Sequence, residues 1–256
     1  MAGLWGLVSH EMSRLWTRRR LLVVSAGMAV IGGAAIVVDS RGLVSIAGET
    51  MAPTAPMLFF ATLDQLAFLF ILWPVAVGGT TAEDLSGGLV YLLVPRAGSR
   101  GAWMGSKLVA ASLSTVLAFC AISAFWLSVA GAVAPWSALG LHDVVLFGRD
   151  TVLAQPHLVG LFALAVLCVA GTATAMLSHL IGVLTASPLL SQVGASVLYL
   201  AGVLALPPGL NPATRASMLS VQVPWMTPLS CAAYWLGLLA LFAGITFLVA
   251  LRKEAR

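Results

Sequence analysis

Few side chains in this sequence have the types and spacing that catalysis needs. The histidines and cysteines stand singly and far apart along the chain: His10, Cys120, His142, His157, Cys168, His179 and Cys231. A metal site needs several such ligands close together, and a hydrolase of the nucleophile-elbow type needs Gly-x-Ser-x-Gly. Neither pattern occurs, and the Gly-x-x-x-x-Gly-Lys-Ser/Thr phosphate loop is also missing. The chain is therefore not predicted to be an ATPase or another enzyme by itself.

Asp64 is the one acidic residue well inside an apolar run, and Gln65 follows it. At 1.5 Å per helical residue, Asp64 is expected roughly 10 Å from the end of that run. A charge at such depth is costly and usually faces a bundle interior or an aqueous cavity. Two interpretations remain open: contact with a solute on an aqueous path, or a hydrogen bond to Gln65 or to a facing helix.

The segment 83–107 lies between two long apolar runs and mixes charges, glycines and apolar residues. Gly87, Gly88 and Pro95 are expected to interrupt helical structure. The apolar run 89–94 lies between these breaks, and within it only Tyr91 carries a polar group. The segment is either an ordinary connecting loop or a short helix along the membrane surface that offers an apolar patch to a partner.

This segment resembles the intracellular loop after the second membrane helix in the permease subunits of type-2 ABC transporters. The family pattern has an acidic pair, a glycine, a leucine pair, a proline, and an arginine followed seven residues later by a lysine. The matching residues are Glu83, Asp84, Gly87, Leu92, Leu93, Pro95, Arg100 and Lys107. The chain departs from the pattern in having Gly88 where threonine is usual, the proline one residue early, and one extra residue before the arginine.

The resemblance implies a function and a set of partners. In that family two permease subunits pair and bind two cytoplasmic ATPases, whose ATP-driven closure moves cargo, usually out of the cell. The segment would then couple to the ATPase, with Leu92 and Leu93 in a groove of that partner and Glu83 and Asp84 near the start of a short helix. Arg100 and Lys107 would lie at the lipid headgroups. No cofactor is expected in this chain, because ATP and Mg would be bound by the ATPase, and the residues on a cargo path would be Asp64 and Gln65.

The composition predicts a polytopic, all-α membrane protein with one domain, 1–256. The chain is 60% hydrophobic and only 9% charged, whereas soluble domains have about 25% charged residues. At about 20 residues per crossing, its length accommodates roughly six helices. The net charge of +4 does not imply a nucleic acid partner, since the basic residues flank apolar runs, as they do beside a lipid membrane.

The apolar pattern predicts the order of the spans. An amphipathic helix in 1–20, suited to the membrane interface, precedes an uncleaved first span. A turn at Pro188 separates the fourth and fifth spans, and the proline-rich stretch 207–228 suits a re-entrant or broken hairpin before the last span. The expected spans are 21–38, 57–80, 108–134, 158–184, 189–206 and 229–251.

The distribution of basic residues orients these spans. With six spans and both termini in the cytoplasm, ten basic residues lie inside and three outside, as the positive-inside rule requires. The expectation is a multi-pass protein of the plasma membrane, in a bacterium. The alternative function is an integral membrane enzyme or a non-transporting scaffold. A co-purifying ATPase would favour a permease, and activity of the chain alone would favour an enzyme.

Overall fold

The computed structural model describes residues 4–46, 49–137, 150, 154–217 and 225–252, without the side chains of 44–46, 49–51, 64–69 and 156. In this part the chain is helical apart from one short antiparallel hairpin. The elements, in chain order, are α1 (Leu4–Trp16), α2 (Arg19–Asp39), β1 (Val44–Ile46), β2 (Glu49–Met51), α3 (Ala55–Leu69), α4 (Trp73–Val77), α5 (Thr80–Ser86), α6 (Val90–Ala97), α7 (Arg100–Val133), α8 (Pro156–Thr185), a π-helical turn (Leu190–Gly194), α9 (Ala195–Ala205), α10 (Pro212–Ser217) and α11 (Pro228–Arg252).

Four of the described helices are long and apolar enough to span a membrane: α2, α7, α8 and α11. The expected spans 21–38, 158–184 and 229–251 agree with α2, α8 and α11 to within a few residues. The turn at Pro188 is confirmed: α8 ends at Thr185, Ala186 adopts a left-handed conformation, and the next helical segment follows at once. In the residues that the structure describes, the fold is therefore that of an all-helical membrane protein apart from one small hairpin.

The expected second span, 57–80, is not one continuous helix. Helix α3 ends at Leu69, and α4 begins only at Trp73. Pro74 lies in the first turn of α4, where its missing N–H is tolerated, whereas in the interior of a longer helix it would remove a hydrogen bond. The prediction overlooked this proline. The helix at the expected fifth span is shorter than the four long helices, since Leu190–Ala205 consists of a five-residue π-helical turn followed by the eleven residues of α9.

Large aromatic residues hold the long helices together. Trp126 of α7 is fully buried, and its indole N–H donates to the carbonyl oxygen of Ala29 in α2 at 2.9 Å. The ring covers Gly32, where a Cβ atom would lie 2.2 Å from it, so the glycine permits this close helix contact. Trp73 of α4 packs against Phe119 of α7 with ring centroids 4.7 Å apart.

The two ends of the bundle differ in their contacts. At one end, called here the α1 end, α1 packs against the beginning of α7 and against α5. At the opposite end, called the far end, the Ala55 N–H at the start of α3 donates to the carbonyl oxygen of Pro135, just after α7, at 2.9 Å. Residues 138–149, 151–153 and 218–224 lie outside the described residues, and with them most of the expected loop 135–157 and the middle of the expected hairpin 207–228.

Candidate functional site

A tight turn brings the acidic pair of the segment 83–107 to the α1 end. Gly79, between α4 and α5, has a φ of 86°, in the left-handed region that glycine adopts without strain. A Cβ atom there would also lie 2.4 Å from Nε2 of Gln192, which follows α8. The glycine thus allows the chain to turn close to the connection between α8 and α9, and α5 then carries Glu83 and Asp84 toward α1.

Asp84 is the centre of a buried group of charges. Its side chain has no solvent exposure, and it accepts hydrogen bonds from both terminal nitrogens of Arg14 in α1, at 2.8 and 3.2 Å. Its second carboxylate oxygen also lies 2.7 Å from Nζ of Lys107 in α7. Paired arginine–carboxylate contacts of this kind are short and directional.

Glu11 of α1 completes this group. Its carboxylate lies 3.0 Å from Lys107 Nζ and 3.0 Å from Arg14 Nη1. Glu11, Arg14, Asp84 and Lys107 therefore form a closed ring in which positive and negative charges alternate, and we refer to them as the ion-pair ring. The ring joins α1, α5 and α7, has no net charge, and contains three side chains that are at most 6% exposed.

Glu83 makes a second connection beside the ring. It pairs with Arg18, between α1 and α2, and with Arg20 in α2, each with a nitrogen 2.8 Å from Glu83 Oε1. Its side chain is 31% exposed, so these pairs are more strongly screened than those of Asp84. Together the two carboxylates of α5 bind basic residues from α1, α2 and the junction between them.

The surroundings of both carboxylates lower their pKa values. Burial by itself would raise the pKa of Asp84, but the hydrogen bond from Arg14 and the ammonium of Lys107 outweigh it, so its pKa lies below the ordinary 3.8. Burial likewise opposes ionisation of Glu83, yet Arg18 and Arg20 hold its pKa below the ordinary 4.5. Both groups are therefore charged at neutral pH, as the ion pairs require.

The same turn is connected to α8 and to the π-helical turn. Thr81 Oγ1 lies 2.8 Å from Nδ1 of His179, which is buried in α8. The Gly79 N–H donates to Ser191 Oγ at 3.2 Å, and Ser191 in turn donates to the carbonyl oxygen of Ser178 at 2.7 Å. His179 thus connects α8 with α5. A displacement of α5 would consequently change its contacts with α1, α7 and α8 at the same time.

Helix α6 follows α5 after a turn at Gly87 and Gly88 and has two distinct faces. One face packs on α7, α8 and α11 in a small apolar cluster that includes Trp103, Met104 and Val183. The residues of that inward face are Val90, Leu93, Val94 and Ala97. The outward face carries Leu89, Tyr91 and Leu92, which are 42%, 76% and 60% exposed, and Pro95 and Arg96 beside them. The face of α6 that points away from the bundle is therefore mainly apolar.

Several expectations for the segment 83–107 are corrected by this arrangement. Glu83 and Asp84 do not lie at the start of the short helix; they belong to the preceding helix and bind basic residues of the same chain. Lys107 does not extend into solvent at the start of α7: it lies two turns inside that helix, and its side chain, 1% exposed, pairs with Asp84 and Glu11. Pro95 does not break α6, which continues to Ala97 and ends where Gly98 has a φ of 80°. Leu93 packs inward, so only Leu92 of the leucine pair is available to a partner.

The remaining candidate residues fall into two groups. Gly87 ends α5 by donating its N–H to the Glu83 carbonyl oxygen at 2.8 Å, and Arg100 begins α7 directly after Ser99, whose hydroxyl caps that helix. Asp64 and Gln65 lie in α3, but their side chains are outside the described residues, so their role stays a prediction. Among the described residues, no three His, Cys, Asp or Glu side chains are grouped so as to bind a metal ion.

Sequence reasoning missed the partners of the acidic pair. In the sequence alone, the arginines near the N-terminus indicate only membrane orientation, and no local pattern relates Glu11 to the segment 83–107. A usable signal existed: Glu11 lies between Val8 and Leu15 on the buried face of α1. A carboxylate on the apolar face of an amphipathic helix needs a buried cation, because an unpaired buried charge is very costly.

The chain matches no protein-family model and no curated protein.

Proposed function

We propose that this chain is the membrane-spanning permease subunit of an ATP-driven exporter, similar in organisation to type-2 ABC permeases. The observation that supports the proposal most is the pairing of an exposed apolar helix, α6, with a neighbour, α5, that is fastened by ion pairs to α1 and α7. A partner bound on α6 would act on α5 through the short Gly87–Gly88 turn and through the apolar cluster that Leu85 of α5 shares with α6. The contacts of α5 would then pass that movement to the spanning helices.

The proposal includes a topology. The chain crosses the plasma membrane of a bacterium six times, with α3 and α4 together forming the second crossing and Leu190–Ala205 the fifth, and both termini are cytoplasmic. The ten-to-three asymmetry of basic residues supports this orientation. The α1 end, with α6, then faces the cytoplasm, where an ATPase is available, and the proline-rich stretch 207–228 lies at the outer surface.

The proposal also includes partners. A second permease subunit and two cytoplasmic ATPases complete the transporter, and ATP and Mg are bound by the ATPases. The outward face of α6 inserts Tyr91 and Leu92 into a groove of one ATPase. Burying one large apolar side chain contributes about 1.5–3 kcal/mol, so these two side chains suffice to change the affinity more than tenfold, since about 1.4 kcal/mol corresponds to each factor of ten.

The test is a Tyr91→Asp, Leu92→Asp double variant, purified from the native membrane together with its partners. Both side chains are exposed, so the variant should fold and insert normally, yet lose the co-purifying ATPase and cargo-stimulated ATP hydrolysis. The control is Leu210→Asp, because Leu210 is 51% exposed at the far end and its substitution should leave the ATPase bound. Normal ATPase binding by the double variant, or a catalytic activity of the chain without any partner, would refute the proposal.

A further inference from the structure

A cavity of about 470 Å³ opens between α3, α7 and α8 at the far end of the bundle. Its lining is almost entirely apolar, and its deeper part consists of Phe59, Phe60, Leu127, Gly160, Leu161 and Leu164. The volume falls within the range of about 300–1,000 Å³ that is usual for small-molecule sites. A polar solute would leave its hydrogen-bonding groups unpaired here, and such groups are costly to bury.

The mouth of the cavity is built by the segment that follows α7. The Trp136 ring lies against Gly131, where a Cβ atom would be 2.6 Å from the indole nitrogen. The neighbouring Pro135 carbonyl oxygen accepts the N–H of Ala55 at 2.9 Å, which fastens this segment to the start of α3. Trp136, Ser137 and His157 therefore surround the opening and place polar side-chain atoms at the mouth. The other side chains of the lining are apolar.

The cavity lies close to one end of the long helices. Phe60 is five residues after the start of α3, Leu127 six residues before the end of α7, and Leu164 eight residues after the start of α8. At 1.5 Å per residue these positions are about 8–12 Å from the helix ends. Helices α7 and α8, with 34 and 30 residues, exceed a hydrocarbon layer of about 30 Å, so the cavity is expected near the boundary between acyl chains and headgroups. Trp136 at the opening occupies the level at which tryptophan is enriched in membrane proteins.

We propose that this cavity is a binding site for one acyl chain of a membrane phospholipid, whose headgroup remains at the mouth beside Trp136 and His157. The occupant follows from the surroundings: α7 and α8 are membrane-spanning in length and composition, and Leu161, which lines the cavity, is 61% exposed on the outside of the bundle. Around helices of this kind, lipid supplies long apolar chains at high concentration. A seated chain fills space that α3, α7 and α8 leave empty, and so restores the dispersion contacts that a void lacks. This inference does not depend on the transport function.

Gly160 provides a direct way to close the site. A Cβ atom on Gly160 would meet no other atom within 4 Å, although the residue lines the cavity. Gly160→Leu is therefore expected to fill part of the cavity, since its Cβ atom has open space around it. Gly237→Leu is the matched control, because Gly237 is an exposed residue of α11 that also has open space around it and lies outside the cavity lining.

The experiment uses a phospholipid with a photoactivatable diazirine near the end of one acyl chain, titrated into nanodiscs of unlabelled phospholipid that contain the full-length protein. After irradiation, peptides are mapped by mass spectrometry. The wild-type protein should be labelled saturably in the peptides that contain 59–60 and 161–164. Labelling there should fall at least fivefold in Gly160→Leu, remain unchanged in Gly237→Leu, and fall by an intermediate amount in Gly160→Ala.

Two results would overturn the inference. Labelling of these peptides that rises in proportion to the probe, without saturation, would indicate ordinary surrounding lipid, and this is decided on the wild-type protein even if Gly160→Leu does not fold. Saturable labelling that is equal in Gly160→Leu, Gly160→Ala and the wild type would show that the acyl chain binds outside this cavity.

Discussion

The Lys107 ammonium lies 2.7 Å from the Asp84 carboxylate, and the two side chains are only 1% and 0% exposed. Lys107 begins the deep part of a spanning helix, whereas Asp84 belongs to the short helix that leads to α6. Each charge has a second partner in α1, Glu11 for Lys107 and Arg14 for Asp84. A lysine at this depth is stabilised only while both carboxylates remain in place, so the ion-pair ring makes the position of α5 depend on that of α1.

Removing one charge of the ring should destabilise the protein strongly. Asp84→Asn leaves Lys107 and Arg14 facing each other with only Glu11 to compensate them, and breaking a buried pair in this way costs about 3–5 kcal/mol. Glu83→Gln should cost about 1 kcal/mol or less, because the pairs of Glu83 are partly exposed. Thermal unfolding in detergent measures the stability loss of each variant. Equal melting temperatures for the two variants would contradict the stabilising role of the ion-pair ring.

Acid should release α1 from α5. The pKa values of Asp84 and Glu83 are lowered by folding, so their ion pairs contribute stability that is complete above the ordinary values of 3.8 and 4.5. That stability is lost as the pH falls through the lower values of the folded protein. The distance between spin labels at Ser13 and Ser86, both exposed, should be constant from neutral pH to about pH 5 and should increase below about pH 4.

The control for this pH dependence is the Glu83→Gln, Asp84→Asn double variant, which has no carboxylate to protonate in α5. Its label distance should be long or broadly distributed at every pH. A sharp acid transition that persists in the double variant would assign the transition to other groups.

The turn before α5 should tolerate no side chain. Gly79→Ala combines a left-handed φ, which costs a non-glycine residue about 1–3 kcal/mol, with a Cβ atom 2.4 Å from Gln192 Nε2. Gly105→Ala, in the middle of a helical turn of α7 with open space around it, should instead be neutral or stabilising by up to about 1 kcal/mol. Adding Gln192→Ala to Gly79→Ala should recover the part of the lost stability that comes from the clash with Gln192. It should not recover the part that comes from the left-handed backbone conformation.

Labelling of single cysteines tests the topology. In a background with Cys120, Cys168 and Cys231 replaced by alanine, Arg96→Cys should react only with a membrane-permeant reagent and Leu210→Cys also with an impermeant one. Leu210 is preferred to Arg215 as the outer position, because Arg215 donates to the Gly209 carbonyl oxygen and to Ser230. Reaction of Arg96→Cys with the impermeant reagent in intact cells would reverse the orientation.

Local patterns in the sequence predict much of the fold. The apolar runs locate α2, α8 and α11, and the helical spacing of apolar residues indicates α1, because helical periodicity and hydropathy are properties of neighbouring residues. For the run 89–94 the sequence leaves a loop and a short helix open, and the structure has the helix α6 there. Its two faces were not separated, since Leu92 and Leu93 look alike until the position of α7 is known.

The ion-pair ring could not be predicted in the same way. Glu11 and Lys107 are 96 residues apart, and Arg14 and Asp84 are 70 apart, so no local spacing relates them. Lys107 follows a charged segment and therefore suggests an interfacial anchor, yet α7 begins at Arg100 and carries it into the bundle. The break between α3 and α4 was missed because hydropathy does not register Pro74 inside an otherwise apolar run.

The most direct measurement of the proposed function is photocrosslinking from α6 in native membranes. A benzoylphenylalanine at Tyr91, the most exposed residue of the outward face, should capture a cytoplasmic protein that carries a Gly-x-x-x-x-Gly-Lys-Ser/Thr motif, whereas the same residue at Leu210 should not. Capture of that ATPase at Tyr91 alone is the predicted result. If Tyr91 captures no ATPase while the chain is inserted at its normal level, the permease assignment is contradicted.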